Sequence, residues 1–203
     1  MIIVDVEQGT PEWFAKRCGV ITASEFSRIV TSKGAKSTQS KAYMNTLLAE
    51  SITGKYESSG SSQWMDRGND LEDEARNYYE FKTDIKVSQV GFVFKNEKRL
   101  VGCSPDGLIM DKWKGLEIKC PKASTHAQYL LDMKLPISYV QQVQGSMYVT
   151  GFDEWDFISY HPDMKPLIIT VKKDITFHKN LEKMLYVFIA EMEEKKKRLK
   201  NIS

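Results

Sequence analysis

Ser104-Pro105-Asp106-Gly107-Leu108-Ile109-Met110, then a short turn, then Gly115-Leu116-Glu117-Ile118-Lys119-Cys120: these two runs decide the reading of this chain. Each is a short apolar segment bounded by turn residues, as expected for paired strands, with Asp111 to Gly115 as the hairpin turn. Side chains alternate along a strand, so Glu117 and Lys119 share one face while Ile118 points into the opposite layer. Asp106 opens the first strand, and the hairpin has the length to set it beside Glu117. Two carboxylates and a lysine then converge at one point. Carboxylate oxygens suit Mg²⁺ or Mn²⁺, and Mg²⁺ usually takes one or two protein carboxylates, completing its shell with water and phosphate. A lysine beside such an ion can position an attacking water and stabilise charge on a phosphoryl transition state.

Outward from the hairpin, the chain divides into helical and extended stretches. Ile2 to Val6 is a short strand, and Thr10-Pro11-Glu12 starts a helix with Thr10 as its cap. Thr22-Ala23-Ser24-Glu25 is a capping-box pattern. Residues 31–40 are polar and turn-rich and are expected to form a mobile loop. Helices are expected over about 41–52, closed by Gly54, and over about 66–82. From Lys86 the period changes to strands, VSQVGFVF and RLVGC leading into the hairpin. Two helices (about 124–133 and 137–149), two strands (EWDFISYH and LIITVK) and a final helix from about Thr176 complete the order. Helices before and after a central mixed sheet give an α/β (α+β) fold, with 1–203 as a single domain.

Composition excludes several classes. With 29 basic and 27 acidic residues, a net charge of +2 does not suit a protein that coats nucleic acid by bulk charge. No apolar run reaches the length of a membrane span, and MIIVDVEQGTPEW has no secretory pattern. Three widely spaced cysteines read as thiols of a reducing, cytoplasmic chain, and any metal would be held by oxygen ligands.

Taken singly, Glu-x-Lys is an ordinary cross-strand ion pair and Pro-Asp-Gly an ordinary turn. Together, in strand–turn–strand context, they form the Asp…Glu-x-Lys pattern of metal-dependent nucleases. A third carboxylate supports it: Leu71, Ala75 and Tyr78 share a helical face, and Glu72 lies next to that face. The alternative for Glu72 is a solvated acidic helix surface.

The chain also resembles the phage lambda exonuclease family, within the PD-(D/E)XK nuclease superfamily. The similarity runs in order through Gly19 to Glu25, Leu47-Leu48-Ala49-Glu50 with Thr53-Gly54, Gly68 to Arg76, Cys103 to Gly107, Gly115 to Pro121, and Gln142 to Met147. The resemblance implies a Mg²⁺-dependent exonuclease, with Mn²⁺ as a substitute and two ions once substrate is bound. Such an enzyme degrades one strand of linear duplex DNA from its 5′ end, leaving a 3′ overhang for single-strand annealing. Asp106 and Glu117 match the metal ligands, the Ile118 carbonyl a third, Lys119 the catalytic lysine and Glu72 the helix-borne carboxylate. Arg17 and Ser24 match residues that hold the terminal 5′ phosphate, joined by Ser104 and Gln142. Tyr139, three residues before Gln142, would share its helix face beside the lysine. Met65 takes the place of an apolar wedge between the strands, and Trp64 could stack on a base; both could equally pack their loop against the core. The resemblance further implies a homotrimeric ring around DNA, a single-strand-annealing partner, and a phage- or prophage-encoded protein in a bacterial cytoplasm. An endonuclease or junction resolvase on the same metal site, or a non-catalytic DNA-binding recombination scaffold, are the alternative functions.

Overall fold

The computed structural model describes residues 1–57 and 63–202, with 63–70 described by backbone alone. Helix α1 (Pro11–Arg17) starts as its sequence demands: Thr10 Oγ1 accepts the Trp13 N–H at 3.3 Å, and Pro11 fills the first turn. Helix α2 (Ser40–Thr53) ends at Gly54, whose φ of 66° is the left-handed cap that glycine adopts without strain. Helix α3 (Gln63–Thr83), α4 (Ala123–Asp132), α5 (Val140–Thr150) and α6 (Ile175–Lys200) follow. The cap of α6 is Asp174, which accepts the Phe177 N–H at 2.9 Å. Among the described residues no helix is long and apolar enough to cross a membrane.

Among the described residues the strands form two mixed four-stranded sheets in place of one continuous sheet. In the first, β1 (Ile2–Val4), β3 (Phe92–Phe94), β4 (Val101–Cys103) and β2 (Ile21–Thr22) lie in that order, with only β2 and β4 parallel. In the second, β5 (Gly107–Ile109), β6 (Lys114–Lys119), β7 (Glu154–Ser159) and β8 (Leu167–Lys172) are consecutive. There β6 and β7 are parallel, and α4 and α5 supply the crossover that a parallel pair requires. An isolated antiparallel bridge ties the segment ahead of β3 to β5: Ser88 and Leu108 exchange both backbone hydrogen bonds at 2.8 Å.

The second sheet is covered on both faces. Leu116, Ile118 and Ile158 pack with Ala75 and Tyr79 of α3. Trp155 and Phe157 belong to a larger core with Val143 and Met147 of α5, Leu181 and Leu185 of α6, and Phe26. Two glycines permit this closeness. A side chain at Gly115 would run into the Trp155 indole, and one at Gly145 would meet the Phe26 ring and Ala23.

Three local expectations change. The Thr22–Glu25 capping box does not form, and Ala23–Arg28 is a 3-10 helix without a side-chain cap. Thr22 Oγ1 instead meets Ser24 Oγ at 3.2 Å, and Glu25 pairs with Arg28 at 3.3 Å, so neither group is left for the cap. The 31–40 segment is folded on itself, with Val30 bridged to Lys36 and both Ser37 and Ser40 buried. The hairpin turn is a 3-10 turn at Met110–Lys112, with Trp113 left-handed (φ 51°) and Lys114 already paired with Ile109.

Candidate active site

Register builds the centre of the site. Gly107 pairs with Leu116, so the next residues outward, Asp106 and Glu117, come level where β5 begins. Asp106 Oδ2 accepts the Ile118 N–H at 2.6 Å, which pins its carboxylate to β6. Glu117 is fully buried on the sheet face opposite Ile118. Its Oε1 receives Lys119 Nζ at 2.5 Å, as the shared strand face requires, and Gln142 Nε2 of α5, also at 2.5 Å. Tyr139, in the 3-10 turn ahead of α5, has its ring centroid 5.7 Å from Lys119 Nζ.

Glu72 comes from α3 and is held by Arg76 Nη2 at 2.6 Å. Arg76 is 7% exposed; it also binds Asp73 at 2.5 Å and the Asp106 carbonyl through Nε at 3.4 Å. One guanidinium thus joins the helix carboxylate to the backbone of the strand carboxylate.

The electrostatics follow from burying three acids together. Burial, then the charge of Asp106, pushes Glu72 up to about 7. Burial pushes Glu117 up to about 8, with Lys119 opposing and Asp106 adding to the rise. Asp106 is raised by burial against the pull of Lys119 and the Ile118 N–H. Burial works against the charge on Lys119, yet Glu117 and Asp106 hold its pKa above the ordinary lysine value.

These residues fit a divalent cation. Glu117 Oε2 is buried with no hydrogen-bond partner among the described residues, and burial keeps the pKa values of Glu117, Asp106 and Glu72 raised in spite of Lys119 and Arg76. No three His, Cys, Asp or Glu side chains stand at ligand spacing among the described residues. A donor set of one or two carboxylates completed by water is the one that suits Mg²⁺.

A second constellation lies in the same cleft, which has a volume of about 1090 Å³. Arg17, 7% exposed at the end of α1, donates to Ser104 Oγ at 2.9 Å and approaches Ser24 Oγ at 3.5 Å. Its guanidinium carbon lies 4.3 Å from the Trp13 ring centroid, and Trp13 Nε1 donates to Gly91 O at 2.9 Å and Ser104 Oγ at 3.1 Å. Buried positive charge beside two hydroxyls suits a phosphate dianion. Arg17, Ser24, Ser104, Glu72, Asp106, Lys119 and Gln142 all line this cleft.

The structure therefore brings together Asp106, Glu117, Lys119, Glu72, Gln142 and Tyr139, and separately Arg17, Ser24 and Ser104. Gln142 sits against Glu117 and not on Arg17. Ile118 meets Asp106 through its N–H. The side chains of Trp64 and Met65 lie outside the described residues. Sequence reasoning passed over Trp13 and Arg76. Both left a signal: Trp13 stands one helical turn before Arg17, and Arg76 stands one turn after Glu72, the spacing of helical side-chain pairs.

Solved structures share this architecture. An alkaline exonuclease (LHK-Exo) from Laribacter hongkongensis is 33% identical, with a TM-score of 0.84 over 95% of this chain and 97% of that one. Its complex with dAMP gives 32% identity at the same TM-score and coverage. A phage related exonuclease from Haemophilus somnus, 13% identical with a TM-score of 0.66, covers 91% of this chain and 96% of its own and shares the fold alone. An uncharacterised protein of Acanthamoeba polyphaga mimivirus is 25% identical over 168 residues, 77% of this chain, and the chain spans 29% of that protein's length. The fold class is that of the phage-type exonucleases, in agreement with the resemblance read from the sequence blocks. The family model of the YqaJ-like viral recombinase domain matches residues 12–153, from the start of α1 through the second sheet's crossover, and the chain belongs to that family.

Proposed function

We propose that the chain is a Mg²⁺-dependent nuclease of phage-type recombination, which degrades one strand of linear duplex DNA from a 5′-phosphorylated end and leaves a 3′ overhang. The observation that carries this reading is the shared cleft. Asp106 and Lys119, with Glu117 buried behind them, and the Arg17–Ser24–Ser104 cluster open into it together, with Pro105 alone between Ser104 and Asp106 in the chain.

Asp106 and Glu117 would hold the metal, with the Ile118 carbonyl and Glu72 beside them. When bound, the ion supplies Lewis acidity to a phosphoryl oxygen and lowers the pKa of its water. Lys119 is kept charged by Glu117 and Asp106, so it orients the attacking water and donates to the phosphate oxygens. Gln142 fixes the Glu117 carboxylate from the α5 side. Arg17, with the two serine hydroxyls, binds the terminal 5′ phosphate and so presents the next phosphodiester to the carboxylates. A homotrimeric ring around DNA and a single-strand-annealing partner belong to the same reading and rest on the resemblance.

A timed digestion of end-labelled linear duplex tests it, comparing 5′-phosphate with 5′-hydroxyl ends, with and without Mg²⁺, and a covalently closed circle. Loss of the 5′ label first, only with Mg²⁺ and faster from phosphorylated ends, is the expected result. Efficient cutting of the closed circle, or digestion from the 3′ end, overturns the reading.

A further inference from the structure

The block Leu47-Leu48-Ala49-Glu50, with Thr53-Gly54 behind it, takes no part in the site described above, yet it contains a deeply buried carboxylate. Glu50, near the end of α2, is 3% exposed. Its Oε2 accepts the Gly19 N–H at 2.7 Å, and its Oε1 accepts the Glu57 N–H at 2.9 Å. Both oxygens therefore hold backbone donors, which offsets the cost of burying the charge.

The two donors belong to the two segments that meet at the phosphate pocket. Gly19 follows the end of α1, two residues after Arg17, in a turn with φ 70° that faces Ser51. The Cys18 thiol donates to the Glu50 carbonyl at 3.4 Å, so the end of α2 holds this turn by side chain and backbone together. On the other arm, Thr53 Oγ1 accepts the Lys55 N–H at 3.2 Å and Gly54 reverses the chain, which brings Glu57 back to Glu50. That reversal sets Tyr56 with its ring centroid 5.2 Å from that of Phe14 and 5.8 Å from the Arg17 guanidinium carbon. Tyr56 lines the cleft beside Arg17.

We infer that Glu50 is a positioning residue for recognition of the 5′-terminal phosphate: its carboxylate ties together the segment that carries Arg17 and the segment that carries Tyr56. The inference rests on the reading of Arg17 as the phosphate-binding group. Glu50 touches no substrate, and its effect passes through the placement of the guanidinium and the aromatic wall beside it.

The test compares kcat/KM on duplexes with 5′-phosphate and 5′-hydroxyl ends for the full chain and for Arg17→Ala, Glu50→Gln and Glu57→Pro. The ratio is taken within one preparation, so a fraction of unfolded protein cancels and a merely structural role leaves it unmoved. Arg17→Ala should erase the preference. Glu50→Gln keeps the volume but turns one acceptor into an amide facing an N–H, and should lower the preference about tenfold, through KM. Glu57→Pro removes one donor at an exposed position, leaves Glu50 intact, and should lower the preference about threefold. It decides the matter alone if Glu50→Gln does not fold. Should Arg17→Ala erase the preference while the folded Glu50→Gln and Glu57→Pro proteins keep it, the role of Glu50 is refuted and the pocket stands. If Arg17→Ala keeps the preference, the phosphate pocket itself is wrong and the inference falls with it.

Discussion

Replacing Asp156 should destabilise the protein strongly. This β7 carboxylate is 3% exposed and collects donors from three neighbouring elements. Oδ2 accepts Tyr79 Oη of α3 at 2.5 Å, Oδ1 accepts Thr170 Oγ1 of β8 at 2.6 Å, and Lys114 Nζ of β6 reaches both oxygens at 3.1 Å. Asp156→Ala strands a buried phenol and an ammonium whose remaining partner is Glu154 at 3.5 Å, itself 41% exposed. Breaking a buried ion pair of this kind costs about 4 kcal/mol. At about 3 °C per kcal/mol for a chain of this size, the midpoint should fall by about 12 °C. Tyr79→Phe, which removes one hydrogen bond and leaves the ion pair, should cost about 1 kcal/mol. Urea unfolding with the slope compared between variants measures both. Tyr79 lies about two turns beyond Glu72 on α3, so the Asp156 variant should also lose activity while still folded. A loss below about 1 kcal/mol for Asp156→Ala at unchanged slope would mean that solvent already satisfies these groups, and would refute the argument.

Other outcomes follow from the same geometry. Lys119→Ala should lower single-turnover cleavage by about a hundredfold or more while DNA affinity, read by fluorescence anisotropy, stays within about threefold. Gly145→Val should destabilise by about 2 kcal/mol, because its side chain meets Phe26 and Ala23 where α5 lies closest to the 3-10 helix; thermal unfolding measures this. His178 is 7% exposed, and burial, then Lys173, hold its pKa below 6.5; Lys95 adds to this, Asp174 and a backbone bond at Gln144 oppose it, and the Tyr148 ring lies 5.8 Å away. The folded state favours the neutral imidazole, so this contribution is complete above pH 6.5 and is lost as pH falls through the depressed value. His178→Phe should therefore narrow the difference in urea stability between pH 7 and pH 5, and an unchanged difference would exclude His178 as its source.

The parts of the fold that were legible are those whose signal is local. Period-two runs around Asp106 and Glu117 placed two carboxylates and a lysine together because alternation and hairpin length leave little freedom. Thr10 and Gly54 were readable for the same reason, each being a cap determined within a few residues. The division into two sheets was not readable, since it depends on β2 joining β4 in parallel and on β6 joining β7 in parallel, non-local pairings that no local pattern encodes. Likewise the Thr22–Glu25 pattern has the letters of a capping box, but the hydroxyl and the carboxylate found nearer partners. Arg76 was visible only as a helical neighbour of Glu72. Its hold on the Asp106 carbonyl needs the helix to cross the loop before β5, which is a tertiary fact.

The passage from the first sheet to the second has one more implication. Ser104 stands beside Arg17, and Asp106 stands beside Glu117, so in the proposed function the chain would step from gripping an end to cutting near it within two residues. Such a link spans at most about 7 Å. Under the proposed activity it works as a ruler: the short covalent link between Ser104 and Asp106 limits how far the hydroxyl beside Arg17 can move from the carboxylates. An enzyme built this way would change that limit through an insertion at Pro105, not through a change in the carboxylates.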